Sequence, residues 1–419
     1  MVSTRSKVSP SIRRVRVLTL GILVFGALIS PGRAQQFLDD VGEALDLTTA
    51  DGRARVAFSG LGDLEGYAYQ DPPPGLIFGD TAFVNPRLTL FGDAQYGRQW
   101  YAYAQFQANR GFDPRAEVRN AQFYEYLLRW TPFEEGTLNL QVGEFATAFG
   151  NWSKRRFSWE NPFVTAPTPY EQVLTVSDVN APASPQAFLA RRAVPANKKS
   201  WVPLIWGPSY TTGGSAFGSV ESFDYSVEFK NAALSSRPAA WSGFDQNWEN
   251  PTVTARVGWR PSAAWNVGLS GSGGAYLLPS AEATLPAGTS LGDYSQTTLG
   301  MDLTWSRRSW IVWSELFLAR FDVPTVGYAG LLGWYGEVKY KATTHLWTAA
   351  RMNVMAFGDV ADGMGGEAQW DNNAWRMDWS VGWRFNQHWQ LKLQYSYGQE
   401  QDPGVEGNSL FAGQITLRF

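Results

Sequence analysis

The sequence predicts an all-β fold, a transmembrane antiparallel β-barrel of about 16 strands with 14 or 18 as alternatives, carrying a long inward-folding external loop after strand 5. Three observations predict it. From Asp224 to the C-terminus apolar and polar residues alternate with period two, as a strand with two different faces requires. The apolar parity is rich in Trp and Tyr near strand ends, whereas the polar parity carries charges of both signs. A soluble sandwich would put charge outside and aliphatic residues inside; aromatic girdles with a wet, charged interior belong to a barrel in lipid. Finally, the connections between the alternating segments are short and long in turn.

Composition excludes other classes. Of 419 residues, 44% are hydrophobic and 15% aromatic, with 20 Trp, too apolar for a disordered chain. The one long apolar run, Val17 to Ile29, is too short for a membrane-spanning helix. With no Cys there is no disulfide, thiolate zinc site, attached c-type haem or cysteine nucleophile. A formal charge of −3 argues against nucleic-acid binding.

Residues 1–34 read as an export signal. Arg13, Arg14 and Arg16 precede the apolar run, and Gly32-Arg33-Ala34 places small residues at both cleavage positions. The leader holds six basic residues and no acids, so a mature chain from Gln35 has 29 basic against 38 acidic residues, net −9. Residues 35–52 form a short N-terminal segment in which Phe37, Leu38, Val41 and Leu45 have helical spacing. A short periplasmic or lumen-resting helix is expected over 36–46, a disordered lead-in being the alternative.

The barrel occupies 53–419. Strands are expected at 53–69, 84–94, 99–108, 120–130 and 137–145, then at 221–230, 251–260, 264–274, 295–306 and 309–321, and finally at 331–341, 344–356, 373–385, 387–398 and 408–419. In 387–398, for example, Trp389, Leu391, Leu393, Tyr395 and Tyr397 oppose His388, Gln390, Lys392, Gln394 and Ser396. Fifteen strands would leave the termini on opposite sides, so another is needed in 200–219, where Trp201–Trp206 and Tyr210–Phe217 compete and Pro203 and Pro208 weaken both. Connections at one end are short (95–98, 131–136, 261–263, 306–309, 341–344, 385–387). Those at the other are long (70–83, 109–119, 231–250, 275–294, 322–330, 357–372, 399–407), the known asymmetry of periplasmic turns and external loops. Strand 309–321 resists the scheme because Ile311, Trp313 and Phe317 alternate with Trp310, Val312, Leu316 and Leu318. A bulge or a subunit contact would explain it.

Inward-facing charges on this assignment are Arg87, Arg129, Lys230, Arg256, Arg260, Lys339, Lys341, Arg351, Arg376, Arg384, Lys392 and Arg418. Opposing them are Asp93, Glu125, Asp224, Glu228, Asp302, Glu315, Glu337 and Asp378. The excess is basic; paired charges bracing the wall are the plainer use of any one of them. The longest connection, 146–199, carries Lys154, Arg155, Arg156, Arg191, Arg192, Lys198 and Lys199 against Glu160, Glu171 and Asp178. Positive charge at a constriction attracts anions because low-dielectric walls focus the field. A loop tip touching lipopolysaccharide phosphates is the alternative. Trp152, Phe157, Trp159, Phe163 and Tyr170, interleaved with these charges, suit a loop packed on the wall or a sugar track.

Three resemblances add to this reading. Phe411, Gly413, Ile415, Leu417 and the terminal Phe419 share one parity. This resembles the last strand of bacterial outer-membrane barrels, and implies that Phe411, Ile415, Leu417 and Phe419 form a signal to the barrel assembly machinery. The position of loop 146–199 after the fifth strand resembles the constriction loop of trimeric sixteen-stranded porins. Leu140-Gln141-Val142-Gly143-Glu144-Phe145, then Phe149-Gly150, is similar to a strand-end pattern of the phosphate-selective porin O and P family, as is Asn85-Pro86-Arg87-Leu88 to an early strand there. Membership implies a trimeric anion channel in a Gram-negative outer membrane, in contact with lipid and lipopolysaccharide. The arginine and lysine ladder of that family has no residue-by-residue match here, and its extended N-terminal helix is at most a stub.

The expected function is therefore passive diffusion of small hydrophilic solutes with a preference for anions, phosphate-type anions among them. A sugar or oligosaccharide channel is the first alternative and an outer-membrane barrel enzyme the second. No cofactor is expected. His345 and His388 lie at turn ends without a Ser or Asp partner in a local motif, so no catalytic residue is assigned. The Gly271–Gly274 and Gly363–Gly366 runs do not join a strand to a helix, and Asp359, Asp362, Glu367 and Asp371 lack the spacing of a calcium loop.

Overall fold

The computed structural model describes residues 31–70, 81–109, 120–193, 201–236, 248–401 and 407–419. Sixteen antiparallel strands form one closed sheet. They are β1 Ala54–Tyr69, β2 Ala82–Tyr96, β3 Trp100–Asn109, β4 Asn120–Trp130, β5 Asn139–Phe145, β6 Thr211–Val220, β7 Phe223–Lys230, β8 Thr252–Ser262, β9 Trp265–Ala275, β10 Ser295–Arg307, β11 Trp310–Val323, β12 Gly327–Lys341, β13 Leu346–Phe357, β14 Ala374–Arg384, β15 Trp389–Glu400 and β16 Asn408–Arg418. Each pairs with its sequence neighbours, and β16 closes on β1 with Leu61 opposite Arg418. The sixth strand is the second of the two candidates. Pro203 and its neighbours instead form a three-residue strand, Trp201–Pro203, paired with Val173–Ser177 inside the long connection.

β6 was hard to read because glycine replaces the side chains that would show alternation. Gly213 is required there: a Cβ would overlap the backbone of Phe229 and Lys230 on β7. At β11 and β12 the expected nine-residue connection shrinks to 324–326, so the long-loop end has one tight turn, with Thr325 at φ 66°. The remaining described connections keep the asymmetry.

Closure depends on the last residue. Phe419 and Gly60 exchange backbone hydrogen bonds of 3.1 and 3.0 Å. The Phe419 ring lies where a Gly60 side chain would stand. Below this point β1 outruns β16, and its bare edge is covered by Asp46–Thr48, paired with Arg55–Ala57 and tied by an Asp46–Arg55 ion pair. Such cover removes a template for edge-to-edge association. Helix α1, Pro31–Ala44, precedes it and spans the expected cleavage point. At the short-turn end Asp39 accepts from His388 Nε2 at 2.9 Å. We expect Gly60→Leu to destabilise closure by about 1–3 kcal/mol through overpacking. Loss of the compact, heat-modifiable band would report it; an unchanged band would show that the ring moves aside freely.

The outward faces carry Val257, Leu269, Leu299, Leu318, Trp379 and Leu393, all exposed. The apolar core lies inside the barrel, where Phe149, Tyr170, Leu174 and Phe188 of the long connection pack with Phe317, Phe321 and Tyr335 of the wall. This settles strand 309–321. Its register with β10 and β12 is unbroken, so no bulge is present. Phe317, Phe321 and Val323 face inward because an apolar loop covers them.

Candidate functional site

The connection after β5 enters the lumen at once. Its backbone N–H groups are caught by polar side chains of successive strands. Ala146 N donates to Glu125 of β4 (2.7 Å), Ala148 N to Glu228 of β7 (2.8 Å), Gly150 N to Ser270 of β9 (3.2 Å), and Trp152 N to Glu315 of β11 (2.9 Å). The Asn151 N–H and the Tyr170 hydroxyl also donate to Glu315.

A 3-10 turn, Trp152–Arg155, follows. Arg155 reaches Glu337 of β12 (2.6 Å) and stacks over Trp313 at 4.4 Å. Arg156 turns the other way, to Glu125 of β4 and the Tyr210 hydroxyl (2.8 Å). β4 and β12 stand half the ring apart. Two consecutive arginines thus brace opposite walls, and the loop spans the bore.

Beyond it, residues 158–171 lie on β13, β14 and β15. Lys392 Nζ donates to the carbonyls of Ser158 (2.8 Å), Asn161 (3.0 Å) and Phe163 (3.1 Å). Arg351 bonds Asp378 (2.7 Å) and Thr165 Oγ1 (2.9 Å). Arg376 pairs with Glu171 and lies 2.9 Å from Asp378, without hydrogen-bond alignment on that side. In the connection before β14, Asp371 accepts from Thr175 N (2.8 Å), and burial pushes its carboxyl up to about 6. Asp362 accepts from Met364 N and Gly366 N. These two acids of the 357–372 connection therefore brace loops, and no metal-binding cluster occurs among the described residues.

The basic residues singled out in the sequence now separate by environment. Of the loop cations, Lys154 alone among the described ones stays exposed within the barrel without an ion pair. Arg155 and Arg156 are neutralised, so the expected triple cationic constriction contracts to one free charge. Arg191 bonds Asn180 (3.1 Å) and Arg192 the Gln369 carbonyl (2.8 Å), both away from the strut. Lys198 and Lys199 lie outside the described residues. On the wall, Arg87 pairs with Asp63 (3.1 Å) and Glu65 (2.5 Å). Arg256 bridges Asp224 and Asp302 (2.7 Å each).

A second group, toward the short turns, has aromatic rather than acidic partners. Arg129 lies over Tyr101 (5.1 Å) and Phe217 (4.9 Å), Lys339 over Trp347 (4.5 Å), and Arg384 over Trp159 (4.5 Å). Arg260 is half-exposed and 3.5 Å from Asp224. Sequence alone did not show that Glu171 and Thr165 bind wall arginines, or that Trp159 reaches the short-turn end. Each partner lies some 180 residues or more away, and no local pattern connects them.

A closed sixteen-stranded barrel with the connection after its fifth strand folded into the lumen defines the porin architecture. No protein-family model matches the sequence, and no curated protein matches it. Solved structures do. OmpT, an outer membrane protein of Vibrio cholerae, superposes with a TM-score of 0.54 at 10% identity over 89% of this chain and 99% of its own; a trimer form of OmpT matches as well. The anion-selective porin from Comamonas acidovorans gives 0.56 at 9% identity over 87% and 100%. The outer membrane channel DcaP of Acinetobacter baumannii gives 0.53 at 7% over 89% and 99%. At such identities the likeness is one of fold.

Proposed function

We propose that the chain is an outer-membrane porin through which small hydrophilic solutes diffuse passively, with anions preferred. The observation that carries this is the loop strut: it crosses the bore and exposes Lys154 within it, and a single unpaired cation at a narrowing biases the local ion population toward anions. The carboxylate-free cations toward the short turns extend the same bias. Phosphate-type solutes fit this charge, although the described residues of the wall form no continuous ladder of free arginines. The reading includes no catalytic step. His345 and His388 each direct Nδ1 to a backbone carbonyl, of Arg384 and Arg418 respectively, at 2.8 Å, which is the work of turn residues.

A homotrimer is part of the proposal. Facing outward on β1 to β3 are the small residues Gly62, Gly92, Ala94, Ala102 and Ala104, interleaved with exposed Phe58, Leu64, Leu88 and Trp100, an apolar face that a second copy could cover. Export and a periplasmic position of the short turns follow from the leader and the loop asymmetry. The test is single-channel conductance of the refolded chain, with the reversal potential across a potassium chloride gradient. Anion selectivity should fall measurably when Lys154→Gln removes the free charge, and change little in Arg155→Gln variants that still fold. Cation selectivity in the unmutated barrel would reject the reading.

A further inference from the structure

The short-turn mouth holds a charge arrangement that the pore reading does not need. Arg384 ends β14 and Arg418 ends β16, and Trp159 descends between them from the loop. The guanidinium carbons stand 4.5 and 5.6 Å from the same indole ring. Neither arginine pairs with a carboxylate among the described residues. The side-chain partners of Arg384 are neutral, the Trp159 carbonyl at 3.4 Å and Gln390 Oε1 at 3.1 Å. Its Nε is buried without a hydrogen bond. Two like charges sharing one aromatic repel each other, and a buried orphan donor is costly. Glu160 is within electrostatic reach of both but pairs with neither. Asp39, the other nearby acid, is held by His388 and Gln387.

Between these groups lies a cavity of about 330 Å³ whose lining includes Trp159, His345, Arg384, Gln387 and Arg418, with no carboxylate in its wall. Every other lining side chain carries a hydrogen-bond donor or an imidazole. We propose that this cavity is an oxyanion-binding site, taking the phosphate or carboxylate head of a small solute between the Arg384 and Arg418 guanidiniums. The anion supplies the missing counter-charge, and the guanidinium fork matches its geometry. Trp159 sets the spacing of the two arginines, so the loop that narrows the bore also builds the site at its exit. The proposal rests on the reading of the chain as an anion-preferring channel and adds a stopping point on the path.

Calorimetric titration of the refolded full chain in detergent with inorganic phosphate, and in parallel with acetate, tests it. Saturable binding of at least one probe is expected, weakened about tenfold or more in Arg384→Gln and in Arg418→Gln, as for loss of a charge-assisted contact. Arg307→Gln, which removes an exposed charge at the same end, should bind as the unmutated chain does. If Arg418→Gln does not assemble, because it lies in the terminal strand, Arg384→Gln and Arg384→Lys carry the test. Phosphate binding alone assigns a phosphate head group; acetate binding extends the site to carboxylates. No saturable binding of either, or binding indifferent to Arg384, overturns the site. An anion-selective barrel that binds neither probe would leave the channel standing without it. A non-selective barrel with arginine-dependent binding would do the reverse.

Discussion

Replacing Asp378 by asparagine should destabilise the folded barrel by about 3–5 kcal/mol, the usual result of removing one partner from a buried ion pair. Asp378 is fully buried, as is Arg351, and receives Arg351 Nε at 2.7 Å and Asn353 Nδ2 at 2.9 Å, with Arg376 alongside. Asparagine keeps the shape and drops the charge, leaving Arg351 only Glu337, at 3.8 Å, and Arg376 only Glu171 as acidic partners among the described residues. Both arginines also hold the loop, Arg351 through Thr165 and Arg376 through the Ala166 carbonyl. The loss is therefore expected to reach the lumen. The midpoint of urea unfolding, followed by the shift from compact to extended gel mobility, would measure it. An unchanged midpoint would mean that water enters the cluster and that its burial carries little energy.

The barrel was legible because lipid on one side and a polar interior on the other impose different chemistry on alternate residues. Strands such as β14 and β15 therefore announce themselves in Trp375 to Phe385 and Trp389 to Tyr397. β6 did not, since glycines that admit close neighbours also erase the alternation. The contents of the lumen were less legible for a different reason. A lysine stacked on an aromatic ring and a lysine capped by carbonyls can both occupy the inward parity of a strand, so Lys339 of β12 and Lys392 of β15 look alike in sequence and differ entirely in surroundings. Likewise Lys154-Arg155-Arg156 reads as one cationic patch. Only the opposing positions of Glu337 and Glu125 divide it into one free charge and two braces. One signal was available: inward-facing Phe317 and Phe321 on β11 require something apolar inside the barrel, and the aromatic loop is its natural source.

Lys392→Met is expected to loosen that loop. The ammonium is fully buried and is the shared donor to three loop carbonyls within six residues, Ser158, Asn161 and Phe163. Methionine fills similar length but donates nothing. The Ser158 carbonyl keeps Gln390 Nε2 at 3.0 Å, so the loss falls on the other two. Hydrogen bonds to a charged group contribute about 1.5–3 kcal/mol each, so the two lost bonds cost about 3–6 kcal/mol, and relief of the buried charge offsets part of this, leaving about 2–3 kcal/mol. That difference shifts the balance between packed and displaced loop by roughly thirty- to a hundred-and-fiftyfold. Single-channel records should then show openings more frequent by about that factor, or a larger steady conductance if displacement persists. Arg155 and Arg156 would still tie the strut to β12 and β4, so the barrel itself should still assemble, with its unfolding free energy lowered by no more than the same ~2–3 kcal/mol. Conductance and gating identical to the unmutated chain would show that segment 158–163 is held by its packing on β13 to β15, with Lys392 merely enclosed by it.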